Sequence, residues 1–341
     1  MPKSYLIVQT AFIGDVVLAT ALAEKLHAHH PDAVIDFLVR KGNEGLFKGH
    51  PFIGNVWVWD KKGGKLSSLI DLLFKVRGRR YDAVVNVQRY LLTGLFTVLS
   101  GASQRIGFDA NPVSPLFDIR IPHGNTEGEP TSHEVERNQR LIAHLTEARP
   151  ARPRLHPSKA DFEKVKPYRS HAYVCIAPAS VWETKQYPAG KWVTLMDSLP
   201  KGLVVCLIGG PGDRALCDVI ASCCEVERPI RNLAGSLSLL ESAALQAGAL
   251  MNYVNDSAPM HFASAMNAPV TAVYCSTVPA FGYGPLSDVS HIVETDMPLD
   301  CRPCGIHGKK ACPEGHFRCA MTISDEQLLA CLPSFKTAGG V

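Results

Sequence analysis

The residues best suited to chemistry are Asn255-Asp256-Ser257, which stand between the apolar runs 249–254 and 268–274, with Pro259 and a helical pattern over 260–266 following. Strand, polar tip, helix, strand is the unit of a parallel sheet, whose ligands bind at the carboxyl ends of the strands. Free backbone N–H groups and the positive end of a helix favour hydroxyls and phosphates at Asp256 and Ser257. Pro259 suits a first helical turn, where its missing N–H has no partner to lose. A pair of helix-capping residues would look the same, so on this segment alone both readings stand.

Three further tips carry candidates. Thr10-Ala11-Phe12-Ile13-Gly14-Asp15 follows the first strand pattern and holds one glycine where a dinucleotide fold needs three, so no nicotinamide or flavin site is expected there. Asp15 at the opening turn of a helix is either a complement to the helix dipole or a base. The stretch 178–188 offers the hydroxyls of Ser180 and Thr184, the ring of Trp182, and Lys185, a point cation suited to a diphosphate. A solvated loop lysine is the plainer reading. Gly209-Gly210-Pro211-Gly212-Asp213-Arg214-Ala215 partly matches the dinucleotide fingerprint, but after the second strand of its half. A glycine turn that brings backbone close to a nucleotide fits without any dinucleotide. Cys301-x2-Cys304-x7-Cys312-x6-Cys319, with His307 and His316, has the ligand types of a zinc site. Only its first gap has the spacing of a knuckle, so a reduced or adventitiously paired loop without a metal is expected, with zinc the alternative.

The elements that must position these tips alternate. Strand patterns at 5–9, 34–39, 56–59 and 83–87 interleave with helix patterns at 16–27, 66–77, 91–99 and 134–146. In the second half, strands at 173–177, 203–208 and 250–254 interleave with helices at 190–199, 214–223 and 239–247. The proline- and arginine-rich stretch 149–157 reads as a linker. The 341 residues then divide into domains at 1–155 and 156–322, and a capped helix at 324–332 within 323–341 is expected to pack back on the first domain. The fold class is α/β: two doubly wound, Rossmann-like domains facing each other across a cleft.

Composition narrows the partners. No run reaches the ~18 apolar residues of a membrane span, and no signal-peptide core is present, so a cytoplasmic protein is expected. Cysteines inside apolar strand runs behave as small hydrophobes. The net charge of +3 is uneven: residues 1–156 hold 20 Lys and Arg against 15 Asp and Glu, which favours an anionic partner. The basic cluster from Lys61 to Arg80 reads as a solvated helix face, and no basic run interleaved with aromatics suggests nucleic acid.

Taken together, the tips resemble the ADP-heptose:lipopolysaccharide heptosyltransferases of glycosyltransferase family 9. The resemblance lies in Ile13-Gly14-Asp15-Val16-Val17, Arg105-Ile106-Gly107-Phe108, Trp182 to Pro188, Gly209 to Asp213, and Asn255-Asp256-Ser257 with His261, Ala263 and Ala265. The chain departs from the family at Ala258-Pro259, where glycine usually follows Asp-Ser. The resemblance implies the GT-B architecture and cofactor-free, metal-independent, inverting transfer of heptose from ADP-heptose to the inner core of lipopolysaccharide, an acceptor of the Kdo-lipid A type. It further implies Asp15 as general base, Lys185 as phosphate and sugar contact, Asp213 at the nucleotide ribose, and Asp256 and His261 on the sugar side. A place at the inner face of the cytoplasmic membrane, with transient contact, would follow. Two alternatives remain: another nucleotide-sugar donor on the same scaffold, or a nucleotide-binding protein without catalysis.

Overall fold

The computed structural model describes residues 2–124 and 132–334. The chain forms two compact units, Met1–His156 and Pro157–Val341. The first contains β1 (Ser4–Val8), α1 (Ile13–His29), β2 (Val34–Arg40), β3 (Ile53–Trp59), α2 (Lys65–Arg79), β4 (Ala83–Asn86), α3 (Leu91–Leu99), β5 (Gln104–Phe108), β6 (Ile119–Ile121) and α4 (Glu134–Arg140). Its strands form one parallel sheet in the order β3-β2-β1-β4-β5-β6. The second contains α5 (Lys159–Val165), β7 (Tyr173–Ala177), α6 (Ala189–Ser198), β8 (Val204–Leu207), α7 (Arg214–Cys223), β9 (Ile230–Asn232), α8 (Leu239–Gln246), β10 (Met251–Asn255), α9 (Ala258–Ala265), β11 (Val270–Tyr274), β12 (Ser290–Glu294), α10 (Arg318–Met321) and α11 (Asp325–Leu329). Its sheet is also parallel, in the order β12-β11-β10-β7-β8-β9.

Central strands are largely apolar because helices cover both faces of the sheet. Residues 5–8 of β1 and the whole of β7, β10 and β11 are buried accordingly. In each unit the first strand lies in the middle, and the chain winds first to one side and then to the other. The order reverses between β1 and β4, and between β7 and β10. At such a reversal the flanking loops diverge and leave a crevice at the carboxyl edge. The Asp15 tip, the 178–188 loop and the 255–257 tip all stand at these two places.

Six elements differ from the sequence pattern. β5, interrupted by a glycine, and the short or exposed edge strands β6, β9 and β12 show too little apolar alternation to read as strands. The helix expected over 134–146 stops at Arg140 and continues as turns. The last helix, expected to pack on the first domain, joins the core of the second unit. Ile323 and Leu328 are buried in the core of the second, beside Tyr187, Trp192 and Tyr253. There the Tyr187 hydroxyl donates to the Ile323 carbonyl and that of Tyr253 to the Leu328 carbonyl, both at 3.3 Å. Ser324 caps this helix in a box with Gln327, which satisfies the end that faces the core. The remainder of the expected C-terminal segment, 335–341, lies outside the described residues. Among the described residues no helix is long and apolar enough to cross a membrane.

If α11 is part of this core, Leu328→Ala should destabilise the second unit by about 2–5 kcal/mol. Hydrogen exchange would show it as faster opening across α6 and β10 with the first unit's amides unchanged. Unchanged exchange in α6 and β10 would remove the helix from the core.

Candidate active site

In the second unit, the register that pairs Val254 with Ala177 brings the tips after β10 and β7 side by side. Asn255 ties them together: its side-chain oxygen accepts from the Tyr187 amide at 2.9 Å, and its Nδ2 donates to the Pro178 carbonyl at 2.8 Å. Lys185 Nζ then reaches Asp256 Oδ2 at 2.6 Å, with both side chains largely shielded. Thr277 Oγ1, just past β11, donates to the same carboxylate oxygen at 2.7 Å. Thr184 is buried and serves the frame: its hydroxyl accepts from Ser276 Oγ at 2.9 Å and from the Lys309 amide at 2.8 Å. The close approach requires glycine at 308, where φ is +76° and a Cβ would stand 3.0 Å from both Lys185 Cγ and Thr184 Oγ1. Arg302 completes the frame by donating to the carbonyls of Cys275 and Thr277, each at 2.8 Å.

The capping reading of this tip does not hold. Ser257 occupies the N-cap position of α9, but its hydroxyl makes no capping bond and reaches only the Asn255 carbonyl, at 3.4 Å. Asp256 is committed to Lys185 and Thr277. The end of α9 therefore keeps the N–H groups to which an anion can bind. His261 is buried one turn further along α9. Ser180 lies in the 178–188 loop, whose closure uses its carbonyl as acceptor for Gln186 Nε2 at 2.8 Å. Asp213 closes its own turn, accepting from the Gly210 amide at 2.7 Å. Gly209 permits that turn, since a Cβ there would lie 2.7 Å from the Asp213 carboxylate. The tip containing Asp213 follows β8, which neighbours β7 on the side away from β10. A cavity of about 350 Å³ is bordered by Glu183, Gln186, Trp192 and Leu216, and neither Lys185 nor Asp256 lines it.

In the first unit, Asp15 sits in the first turn of α1 and accepts from the Phe12 amide at 3.1 Å. Its carboxyl is raised to about 6, chiefly by desolvation and next by the negative charge of Glu134; backbone N–H groups and Arg40 oppose the shift. Helix capping and dipole complement would hold the group low, so burial prevails. A carboxylate with this affinity for a proton can take one from a hydroxyl near neutral pH. Glu134, which opens α4, was not apparent in the sequence. It is buried with Arg137 as its partner at 2.7 Å, a pairing set by helical i, i+3 spacing.

Two other groups have metal-type ligands. Cys301, Cys304, Cys312 and Cys319 border one cavity of about 410 Å³ with His316, and all eleven cysteines are free thiols. His307 is not among its lining residues. Burial raises the thiols of Cys304 and Cys319, the latter to about 11; a metal there would have to displace their protons. Among the described residues, Glu24, His50 and His156 have ligand atoms within 4.8 Å of one another. His50 Nδ1, however, accepts from the Ile53 amide at 3.3 Å. In the neutral ring that leaves the proton on Nε2 and the one lone pair engaged by backbone, so His50 has none spare for a metal.

The family model for glycosyltransferase family 9 (heptosyltransferase) matches residues 70–314. Lipopolysaccharide heptosyltransferase 3 of Escherichia coli (strain K12) is 28% identical over 286 residues, covering 77% of this chain and 80% of that one. Lipopolysaccharide heptosyltransferase 2 of the same strain is 25% identical over 307 residues, covering 84% and 87%. The structure of E. coli ADP-heptose lps heptosyltransferase II matches over 97% of each chain with a TM-score of 0.79 and 22% identity. A glycosyltransferase family 9 protein from Veillonella parvula matches over 96% of each chain with a TM-score of 0.83 and 20% identity. These two likenesses show the fold, an α/β architecture of two parallel six-stranded sheets.

The raised Asp15 carboxyl has a stability signature. Its folded value of about 6 lies above the ordinary 3.8, so holding the charge costs stability. The cost is absent below the ordinary value, grows as pH rises between the two, and is complete above the folded one. Asp15→Asn should therefore raise the melting temperature relative to wild type more at pH ~7.5 than at pH ~4.5. A difference that does not change with pH would mean that the carboxyl titrates normally.

Proposed function

We propose, for a chain that belongs to glycosyltransferase family 9 (heptosyltransferase), an inverting transfer of heptose from ADP-heptose to the inner core of lipopolysaccharide. The observation that carries the chemistry is the desolvated carboxylate of Asp15, whose proton affinity suits a general base. In this reading Asp15 takes the proton of the acceptor hydroxyl as its oxygen bonds to the anomeric carbon. The bond from that carbon to the diphosphate oxygen breaks on the opposite face, and configuration inverts. The second unit holds the donor. Lys185 and the amino end of α9 meet the diphosphate and neutralise the charge it gains on leaving, which needs no metal.

The Lys185–Asp256 pair refines the roles. An ammonium has three donors, and Asp256 orients this one while Thr277 orients Asp256. Asp256, Ser257 and His261 take the sugar side of the donor and Asp213 the ribose, with Ser180 and Thr184 shaping the loop that carries Lys185. The acceptor carries Kdo carboxylates and a lipid anchor, which suits the positive balance of the first 156 residues. The protein then works in the cytoplasm, at the inner face of the membrane where such an acceptor is displayed.

The test is incubation with ADP-heptose and a heptose-deficient core acceptor. Transfer supports the reading; transfer only from another nucleotide sugar, or ADP binding without turnover, overturns it. Within that assay, Asp15→Asn should lower kcat about 10²–10⁴-fold with ADP affinity nearly unchanged; retained turnover would leave Asp15 a helix-end residue. Lys185→Ala should weaken ADP binding and slow transfer together, because the cation meets the diphosphate before and during its departure. Calorimetry giving wild-type ADP affinity would take Lys185 out of the phosphate site.

A further inference from the structure

Helices α2 and α3 cover the same face of the first sheet. Leu69, Leu72 and Val76 of α2 and Phe96 of α3 bury against one core that includes Leu6, Val8 and Val84. Arg77 at the end of α2 donates to the Leu99 carbonyl at the end of α3, at 2.6 Å. With their inner faces so engaged, both helices carry a second apolar stripe on the outside. Leu66, Ile70 and Phe74 recur at fourfold spacing on α2, as do Leu91, Leu95 and Leu99 on α3, and each is between 37% and 69% exposed. Of the seventeen large hydrophobic side chains exposed among the described residues, seven fall between Leu66 and Leu99. Single exposed apolar residues need no explanation, but this concentration on two adjoining helices does.

Charge identifies the occupant. Residues 61–99 hold eight Lys and Arg against two Asp. One of these, Asp82, is engaged by the Ser4 amide and hydroxyl at 2.7 and 2.9 Å. Lys65, Lys75, Arg79, Arg80 and Arg89 are exposed around the stripes. A second copy of this chain would bring the same positive charge against it and be repelled. A bilayer containing anionic phospholipid offers both requirements together: acyl chains for the leucines and phenylalanine, and phosphates for the cations.

We propose that the outer face of α2 and α3 docks this protein on an anionic phospholipid surface, with Leu66, Ile70, Phe74, Leu91, Leu95 and Leu99 at the headgroup–acyl boundary. The inference rests on the reading of a lipid-borne acceptor for its purpose, but its test uses no sugar. The purified full chain would be floated with vesicles of phosphatidylcholine alone and of phosphatidylcholine mixed with phosphatidylglycerol. The expected result is partition onto the anionic vesicles, falling as salt rises. Replacing Leu66, Ile70 and Phe74 together by serine should lower that partition at least about tenfold. Lys65→Glu with Lys75→Glu should weaken it and flatten its salt dependence. Circular dichroism and melting temperature check that these exposed substitutions leave the fold intact, and Leu91→Ser with Leu95→Ser gives an independent second variant. Equal partition of wild type and both serine variants would overturn the proposal. So would light scattering that shows a dimer which the serine variants turn into monomer. Turnover on a water-soluble, deacylated acceptor separates the two readings. Wild-type turnover without vesicle binding overturns the docking face alone, and vesicle binding without turnover overturns the heptosyl-transfer reading alone.

Discussion

The shielded ion pair between Lys185 and Asp256 is the constraint on which the carboxyl edge of the second sheet depends. Two charges taken out of water cost several kcal/mol each before their attraction is counted, so the geometry around them has to be fixed by other bonds. Asn255 locks the 178–188 loop to the end of β10. Thr184 is pinned by Ser276 and by the Lys309 amide, and Arg302 holds the carbonyls that follow β11. Each of these bonds removes a direction in which the pair could relax toward solvent. The result is a cation whose position is fixed and whose charge is balanced by Asp256.

The first unit solves a different problem with one carboxylate. Asp15 gains the Phe12 amide and the positive end of α1, both of which would lower its proton affinity, yet desolvation and Glu134 raise it. Glu134 is itself paired with Arg137 in a shielded contact at 2.7 Å. A base must keep its proton affinity high without losing its charge at neutral pH, and a value near 6 meets both demands. The second unit thus holds a paired cation, and the first a desolvated carboxylate.

How much of this could be read from the sequence follows from the range of the interactions involved. The strand tips were legible because an apolar run, a polar break and a helical period are all local, and so Asp15, Lys185, Asp213 and Asp256 could be singled out before any contact was known. What joined Lys185 to Asp256 was the pairing of β7 with β10, which no local pattern specifies. For the same reason Thr277, Lys309 and Arg302 went unnoticed, and so did Glu134, which looks like any acidic residue at a helix start. The irregular cysteine gaps hid the fact that four thiols meet at one cavity, because loop closure, not spacing, brings them together. Conversely, the reading of Ser257 as a helix cap came from a local rule that the surrounding structure does not use.

Helix α2 shows where a local rule is silent in a more informative way. A helix needs one apolar stripe to join a core, and Leu69, Leu72 and Val76 supply it. Leu66, Ile70 and Phe74 add nothing to folding from where they stand, and exposed leucine or phenylalanine carries a standing cost in solubility. Lysine and arginine placed among them offset that cost in water, which is why the segment reads at first as a solvated helix face. The same cations cannot account for the apolar residues, however, since a solvated face would be better served by polar residues throughout. On the proposed docking, the helix meets two environments, water in one state and an apolar, negatively charged surface in another. An enzyme that modifies a lipid-borne sugar has this need, because its acceptor is confined to a plane while its nucleotide donor is free in solution.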